Sequence, residues 1–238
     1  MRLTLPVCLA VAAVAGAAAA PAAAAARAQP PVAPEQELAM LSSAHQVVSS
    51  LAADRSHVTT IPARRPITGA RTALPVIGRA TTPDGTHWLR VRLPGRPNGL
   101  KGWIRRRGTA RASTSWHVVV RRSSRRVLVY HSGARVRSFV AIVGKPSSPT
   151  PTGRFFNEES VLMPPSSPGA PFALALSARS DVLQEFAGGP GQIAIHGVAN
   201  LVGTPGTAVS HGCVRLANRD IRWLAARIGS GTPVTITR

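Results

Sequence analysis

The spacing of apolar and polar positions changes several times along the chain. Residues 3–14 are almost continuously apolar and run into an alanine tract, with Arg2 ahead and Ala26-Arg27-Ala28 behind. Leu38, Leu41, Val48 and Leu51 then recur at intervals that suit one helix face, and Glu35 and Glu37 stand where the positive end of its dipole would lie. From 57 to 108 the pattern becomes short β-prone runs at 58–61, 74–77, 87–93 and 102–104, punctuated by Gly and Pro. Asp84-Gly85 predicts a tight turn feeding the strand that starts near His87. Strand-like runs resume at 116–120, 127–130 and 135–143, the first two joined by a polar hairpin turn rich in Arg and Ser. Ile221, Leu224, Ala225 and Ile228 form the stripe of a core-facing helix, with Asn218 as its cap, Asp220 in its first turn and Gly229-Ser230-Gly231 as its stop. A last strand is expected at 232–237. The chain therefore reads as mainly β with a few short helices: a linker and short helix at 29–56, a small β module at 57–108, a linker at 109–115 and a larger β domain at 116–238.

Composition narrows the class. Of 238 residues 44% are hydrophobic, enough to bury a core, but there are only 5 Phe, 4 Trp and 1 Tyr, so aliphatic side chains must do most of the packing. Collagen, a coiled coil and a multispanning membrane protein are excluded. Residues 1–28 read as a secretory signal peptide, with a positive start, an apolar middle and a small-x-small exit. The alternative is an uncleaved anchor, because 7–26 is long enough to cross a bilayer; membrane is a partner only in that case. The expected location is secreted, in the cell wall or the periplasmic space. Lys and Arg number 29 against 9 Asp and Glu, a formal net charge of +20, and only Lys101 and Lys145 are lysine. Such charge raises nucleic acid as a partner, but export removes it. Anionic cell-wall polymers fit better, since dispersed positive charge promotes encounter with polyanions. The acids Glu158-Glu159 and the pair Asp181 and Glu185 read as solvated faces and offer no competing active site.

The candidate chemistry sits near the C-terminus. Cleavage at Ala28 would remove Cys8 and leave Cys213 as a lone thiol in an oxidising compartment, where it is open to reaction. Its surroundings are Ser210-His211-Gly212-Cys213-Val214-Arg215-Leu216, and Ile195-His196-Gly197 stands upstream. On an extended segment His211 and Cys213 project to one side. A cysteine beside imidazoles can present a thiolate, the species that attacks carbonyls. Backbone N–H groups around Gly212 and Cys213 would stabilise the resulting oxyanion. Two other readings stand beside this one: His196, His211 and Cys213 as zinc ligands, or a structural role in which Gly212 serves a bulge. From the residues alone, the roles of His196 and His211 are interchangeable.

The Cys213 segment, His196-Gly197 and Pro149-Thr150-Pro151-Thr152-Gly153-Arg154-Phe155 together resemble the YkuD-type L,D-transpeptidase family, over 116–237. Asn218-Arg219-Asp220-Ile221 and Gly231-Thr232-Pro233-Val234 match its tail, and 57–108 resembles a bacterial SH3-like small barrel. The resemblance implies a β-sandwich catalytic domain after that barrel, no metal or other cofactor, and peptidoglycan stem peptides as substrate. It makes Cys213 the nucleophile and His196 the general base, oriented by the Gly197 carbonyl in place of a carboxylate. It puts His211 beside the thiol, shaping the oxyanion pocket with Gly212; Ser210 would hold the loop, and Arg215 would lock it or face substrate carboxylates. The implied reaction is a 3→3 cross-link formed through a Cys213 thioester with release of D-Ala. An L,D-carboxypeptidase of the same mechanism and a non-catalytic wall-binding protein are the alternatives. A lid over the donor groove is expected at 156–172.

Overall fold

Segments rich in Val, Ile and Leu pair into two sheets, because β-branched and aliphatic side chains pack well on a pleated surface. The computed structural model describes residues 32–52, 56–186 and 188–238; the leader read at 1–28 lies outside them. Among the described residues no helix is long and apolar enough to cross a membrane. Residues 31–238 form one compact unit.

The first sheet holds β1 (Gln36–Leu41), β2 (His45–Val48), β3 (His57–Ile61), β4 (Ala73–Thr81), β5 (His87–Arg92), β6 (Lys101–Arg105) and β7 (Thr109–Thr114), in the order β3-β2-β6-β5-β4-β1-β7 with antiparallel neighbours. Two expectations fail here. The stretch read as a linker and short helix contains β1 and β2. Its Leu38, Ala39, Leu41 and Val47 are buried, and pairing of β1 with the distant β4 and β7 overrides a helical spacing built on only four residues. The stretch read as a linker at 109–115 is mostly β7, which pairs with β1 along its whole length. The first sheet therefore runs from 36 to 114, beyond the module read at 57–108.

The second sheet holds β8 (Trp116–Arg121), β9 (Arg126–His131), β10 (Ala134–Gly144), β11 (Gly153–Leu162), β12 (Phe172–Arg179), β13 (Gln192–His196), β14 (Ala208–Ser210), β15 (Val214–Leu216) and, after helix α1 (Asn218–Ala225), β16 (Pro233–Thr237). Its order is β14-β10-β15-β13-β12-β11-β16-β8-β9. The long β10 pairs with β9 through 134–140 and with β15 at 141–142, so the sheet closes on itself. Ile221, Leu224 and Ile228 fill its core with Val118, Val129, Leu176 and Ile195. The helix is capped differently from expectation. Ala217 takes the cap position without a side-chain bond, while Asn218 Oδ1 accepts the Val198 N–H at 3.0 Å. That side chain is committed to the segment following His196-Gly197.

Strand β11 joins the two cores. Successive side chains on a strand point to opposite faces, and Phe155 enters the core of the second sheet while Phe156 enters that of the first. The following acids are likewise covered on both sides, so the solvated-face reading of Glu158 and Glu159 fails: they are 2% and 3% exposed. Glu158 takes ion pairs from Arg65, of the first sheet's β3–β4 connection, and from Arg179 at 3.1 Å. Glu159 accepts the Thr68 N–H at 3.0 Å and the Thr68 hydroxyl at 2.9 Å. Within the span 156–172, residues 156–162 belong to β11 and Phe172 opens β12, so the connection between them is the part left to act as a cover.

Candidate active site

Two adjacent parallel strands bring the histidine and the cysteine together. β13 pairs with β15 in the register Ile195↔Val214 and His196↔Arg215. One residue earlier, the Ala194 N–H donates to Cys213 Sγ at 3.4 Å. Ala194 and His196 are two apart on β13 and so share a face. Cys213 and His196 accordingly line one pocket of about 480 Å³, whose walls include Ile193, Arg215, His211 and Phe186.

The turn before Cys213 is held by one hydroxyl. Ser210 Oγ, fully buried, donates to the Cys213 carbonyl at 2.6 Å and accepts the Gly212 N–H at 3.2 Å. Gly212 has φ +125, a conformation glycine adopts without strain. The chain is thus turned rather than extended at 211–213. His211 is exposed and stacked on Phe186, ring centroids 5.6 Å apart, at the pocket's edge. The Gly212 N–H is thus engaged by Ser210 rather than left free.

His196 is fixed from three sides. Its Nδ1 donates to the Gly197 carbonyl at 2.8 Å, which leaves Nε2 as the basic nitrogen. The Gly197 N–H donates to the Gly169 carbonyl at 2.8 Å, and Gly197 itself has no room for a side chain: a Cβ would come within 2.0 Å of the Ala170 carbonyl oxygen. Gly169, at φ +87, packs so closely under the imidazole that a Cβ would lie 2.5 Å from Nδ1.

Burial sets the charge state of the pair. It lowers the His196 pKa to about 4, helped by the Arg215 charge and opposed by the Gly197 hydrogen bond. It pushes the Cys213 thiol up, against the pull of the Ala194 N–H and of Arg215. Both shifts run against a preformed thiolate–imidazolium pair, since burial favours the neutral form of each group. Arg215 Nη1 donates to the Val202 carbonyl at 2.8 Å while its buried Nε has no partner. Arg215 is also one of the residues that line the pocket.

Of the seven site residues read from the sequence, Cys213, His196, His211 and Arg215 line this pocket; Ser210 and Gly212 lie in the turn before Cys213, and Gly197 lies beside the His196 ring. Gly169, Gln192 and Phe186 were missed. Gln192 opens β13, and its carbonyl lies 4.0 Å from Cys213 Sγ. The Gly188-Gly189-Pro190-Gly191 run is the sequence feature that points to a tight structure just ahead of it. Among the described residues no group of three or more His, Cys, Asp or Glu is arranged to hold a metal ion.

The closed β fold with this Cys-His pocket defines an L,D-transpeptidase catalytic domain. The YkuD family pattern, which describes that domain, matches residues 115–236, and the chain belongs to this family. It is 30% identical over 126 residues to the YkuD protein of Bacillus subtilis and 31% identical over 125 residues to that of Bacillus licheniformis. These matches take in 52% and 51% of this chain, and the chain spans 66% of the length of each relative. Among solved structures it is similar to an L,D-transpeptidase from Mycobacterium smegmatis, at 19% identity and TM-score 0.40, covering 64% of this chain and 91% of that one. It is also similar to L,D-transpeptidase 3 from Mycobacterium tuberculosis with a faropenem-derived adduct, at 18% identity and TM-score 0.44, covering 76% and 97%.

Proposed function

We propose that this chain is a cysteine-dependent peptidoglycan L,D-transpeptidase acting outside the cytoplasm. The observation that carries the reading is the pairing of Cys213 with His196 in one pocket, the imidazole locked by Gly197 in the tautomer that accepts a proton. Cys213 Sγ attacks the carbonyl of the third residue of a donor tetrapeptide as its proton passes to His196 Nε2. The C–N bond to terminal D-Ala then breaks, and His196 returns the proton to the leaving amine. A side-chain amine of a second stem attacks the thioester, gives its proton to His196 and forms the 3→3 amide. The departing sulfur recovers that proton.

Because burial favours the neutral thiol and the neutral imidazole, the thiol proton passes to His196 as the C–S bond forms. The Arg215 guanidinium in the pocket wall suits a carboxylate of the donor stem, by a charge-assisted hydrogen bond. Mass spectrometry of products from purified disaccharide-tetrapeptides tests the reading. A dimer formed with loss of one D-Ala per bond, absent in Cys213→Ala, supports it. Tripeptide alone makes water the acceptor and the chain an L,D-carboxypeptidase. Untouched substrate overturns the catalytic reading in favour of a wall-binding protein.

A further inference from the structure

The first sheet reaches the pocket through the loop between β5 and β6. Arg96 in that loop donates to three carbonyls of the segment that links β12 to β13: Ser180 at 2.9 Å, Leu183 at 2.8 Å and Pro190 at 2.8 Å. Two positions further on, Asn98 pairs with the start of the same segment. Its Nδ2 donates to the Arg179 carbonyl at 2.7 Å and to Asp181 Oδ1 at 2.8 Å, and its Oδ1 accepts the Arg179 N–H at 2.8 Å. The Arg96 guanidinium lies so close to Gly191 (φ +62) that a Cβ there would sit 2.9 Å from Nη2. Ser180, Leu183, Phe186 and Gly191 of this segment all line the pocket that holds Cys213.

Within itself the segment is lightly tied. Ser180 Oγ accepts the Leu183 N–H at 3.0 Å, the Ser180 N–H donates to the Gly191 carbonyl at 2.8 Å, and Phe186 exchanges backbone bonds with Gly189. Among its described residues none between Arg179 and Gln192 belongs to a regular strand or helix. One guanidinium collecting carbonyls at both ends of the segment, Ser180 and Leu183 at one and Pro190 at the other, supplies the missing support, because each charge-assisted bond fixes a different point of the rim.

We infer that Arg96 and Asn98 are positioning residues: they hold the rim at 180–186 and 188–191 over the catalytic pocket, and so set donor affinity and the shielding of Cys213. On this view the first sheet is a working part of the active site's architecture. The inference rests on the reading that this pocket takes the donor stem.

The test uses the full chain with Arg96→Ala, Arg96→Lys and Asn98→Asp. The last of these turns a donor into a carboxylate facing the Arg179 carbonyl and Asp181. Hydrogen exchange should quicken across 180–186 and 188–191 in Arg96→Ala, with β8, β11 and β16 unchanged. Alkylation of Cys213 by iodoacetamide should rise about fivefold or more as the rim loosens. Donor KM should rise about tenfold with kcat nearly constant, and Arg96→Lys, which cannot span three carbonyls, should recover only part of it. Unchanged exchange and alkylation overturn the inference, as does a fall in kcat at constant KM. If the wild type turns over no tetrapeptide, the proposed function fails, yet exchange and alkylation still decide whether Arg96 holds the rim.

Discussion

The imidazole Nδ1 of His196 lies 2.8 Å from the carbonyl oxygen of the next residue, Gly197, and this bond leaves Nε2 as the nitrogen free to accept a proton. A backbone carbonyl can hold a tautomer, but it brings no negative charge to favour an imidazolium. With burial added, the His196 pKa falls to about 4. The acid limb of the kcat/KM profile is therefore expected near pH 4, since His196 must be neutral to accept the thiol proton and stays neutral down to that value. An acid limb at the ordinary histidine position, between 6 and 7, would remove His196 as the base or its burial as the cause. Stability carries the same sign. The unfolded chain binds a proton at His196 that the folded one refuses, so stability should decline as pH falls from about 6.5 towards 4.

Gly169→Ala tests how tightly the base is placed. Its positive φ alone should cost about 1–2 kcal/mol of stability. The added methyl also meets the His196 ring from below. A displacement near 1 Å of a catalytic group can cost on the order of 100-fold in rate. A fall in kcat of that order is expected with the fold retained by circular dichroism. Near-wild-type turnover would show that the ring has slack.

Ser210→Ala should loosen the nucleophile's turn. It leaves the Gly212 N–H and the Cys213 carbonyl without their partner, and each buried unsatisfied group costs about 1–3 kcal/mol. Urea unfolding would read the loss as a lower midpoint at unchanged slope. The Gly212 N–H would at the same time be freed towards an oxyanion. The acylation rate of the folded enzyme should therefore fall less than the stability loss suggests, and a rate that vanishes with the fold intact would show that Ser210 acts directly in catalysis.

What could be read from the sequence divides by the reach of the interactions. The Ser210–Leu216 segment announces its chemistry because its residues are contiguous, and the stripe of Ile221, Leu224 and Ile228 is visible because a helix repeats locally. β1 is hidden because Leu38 and Leu41, with Val48 of β2, satisfy a helical spacing, while its true partners, Ala73–Pro75 and Thr109–Thr114, lie far along the chain. Asn218 looked like a cap, but a side chain beside a helix start can also bond a loop brought there by the fold, here at Val198. Arg96 gave no local sign at all, because among so many arginines nothing nearby sets it apart.

Glu158 and Glu159 should respond very differently to the same change. The Glu158 carboxylate sits among Arg65, Arg179 and Gln192, whose Nε2 donates to it at 3.0 Å; burial pushes its pKa up and the two guanidiniums pull it down. Glu158→Gln leaves two largely buried guanidiniums without a counter-ion, and removing one partner from a buried ionic cluster typically costs about 3–5 kcal/mol. Glu159 meets neutral donors, the N–H and hydroxyl of Thr68, which a glutamine oxygen also satisfies, so Glu159→Gln should cost about 1 kcal/mol or less. Gln192 adds a functional consequence. Its side chain is anchored by Glu158 and its carbonyl faces Cys213 Sγ, so Glu158→Gln should also alter the rate of Cys213 alkylation at a pH where the variant is still folded. Equal destabilisation by the two substitutions would mean that the ionic cluster contributes no more than an ordinary hydrogen bond, and would shift the weight of the contact between the sheets to Phe156 and to the Arg96 and Asn98 bonds.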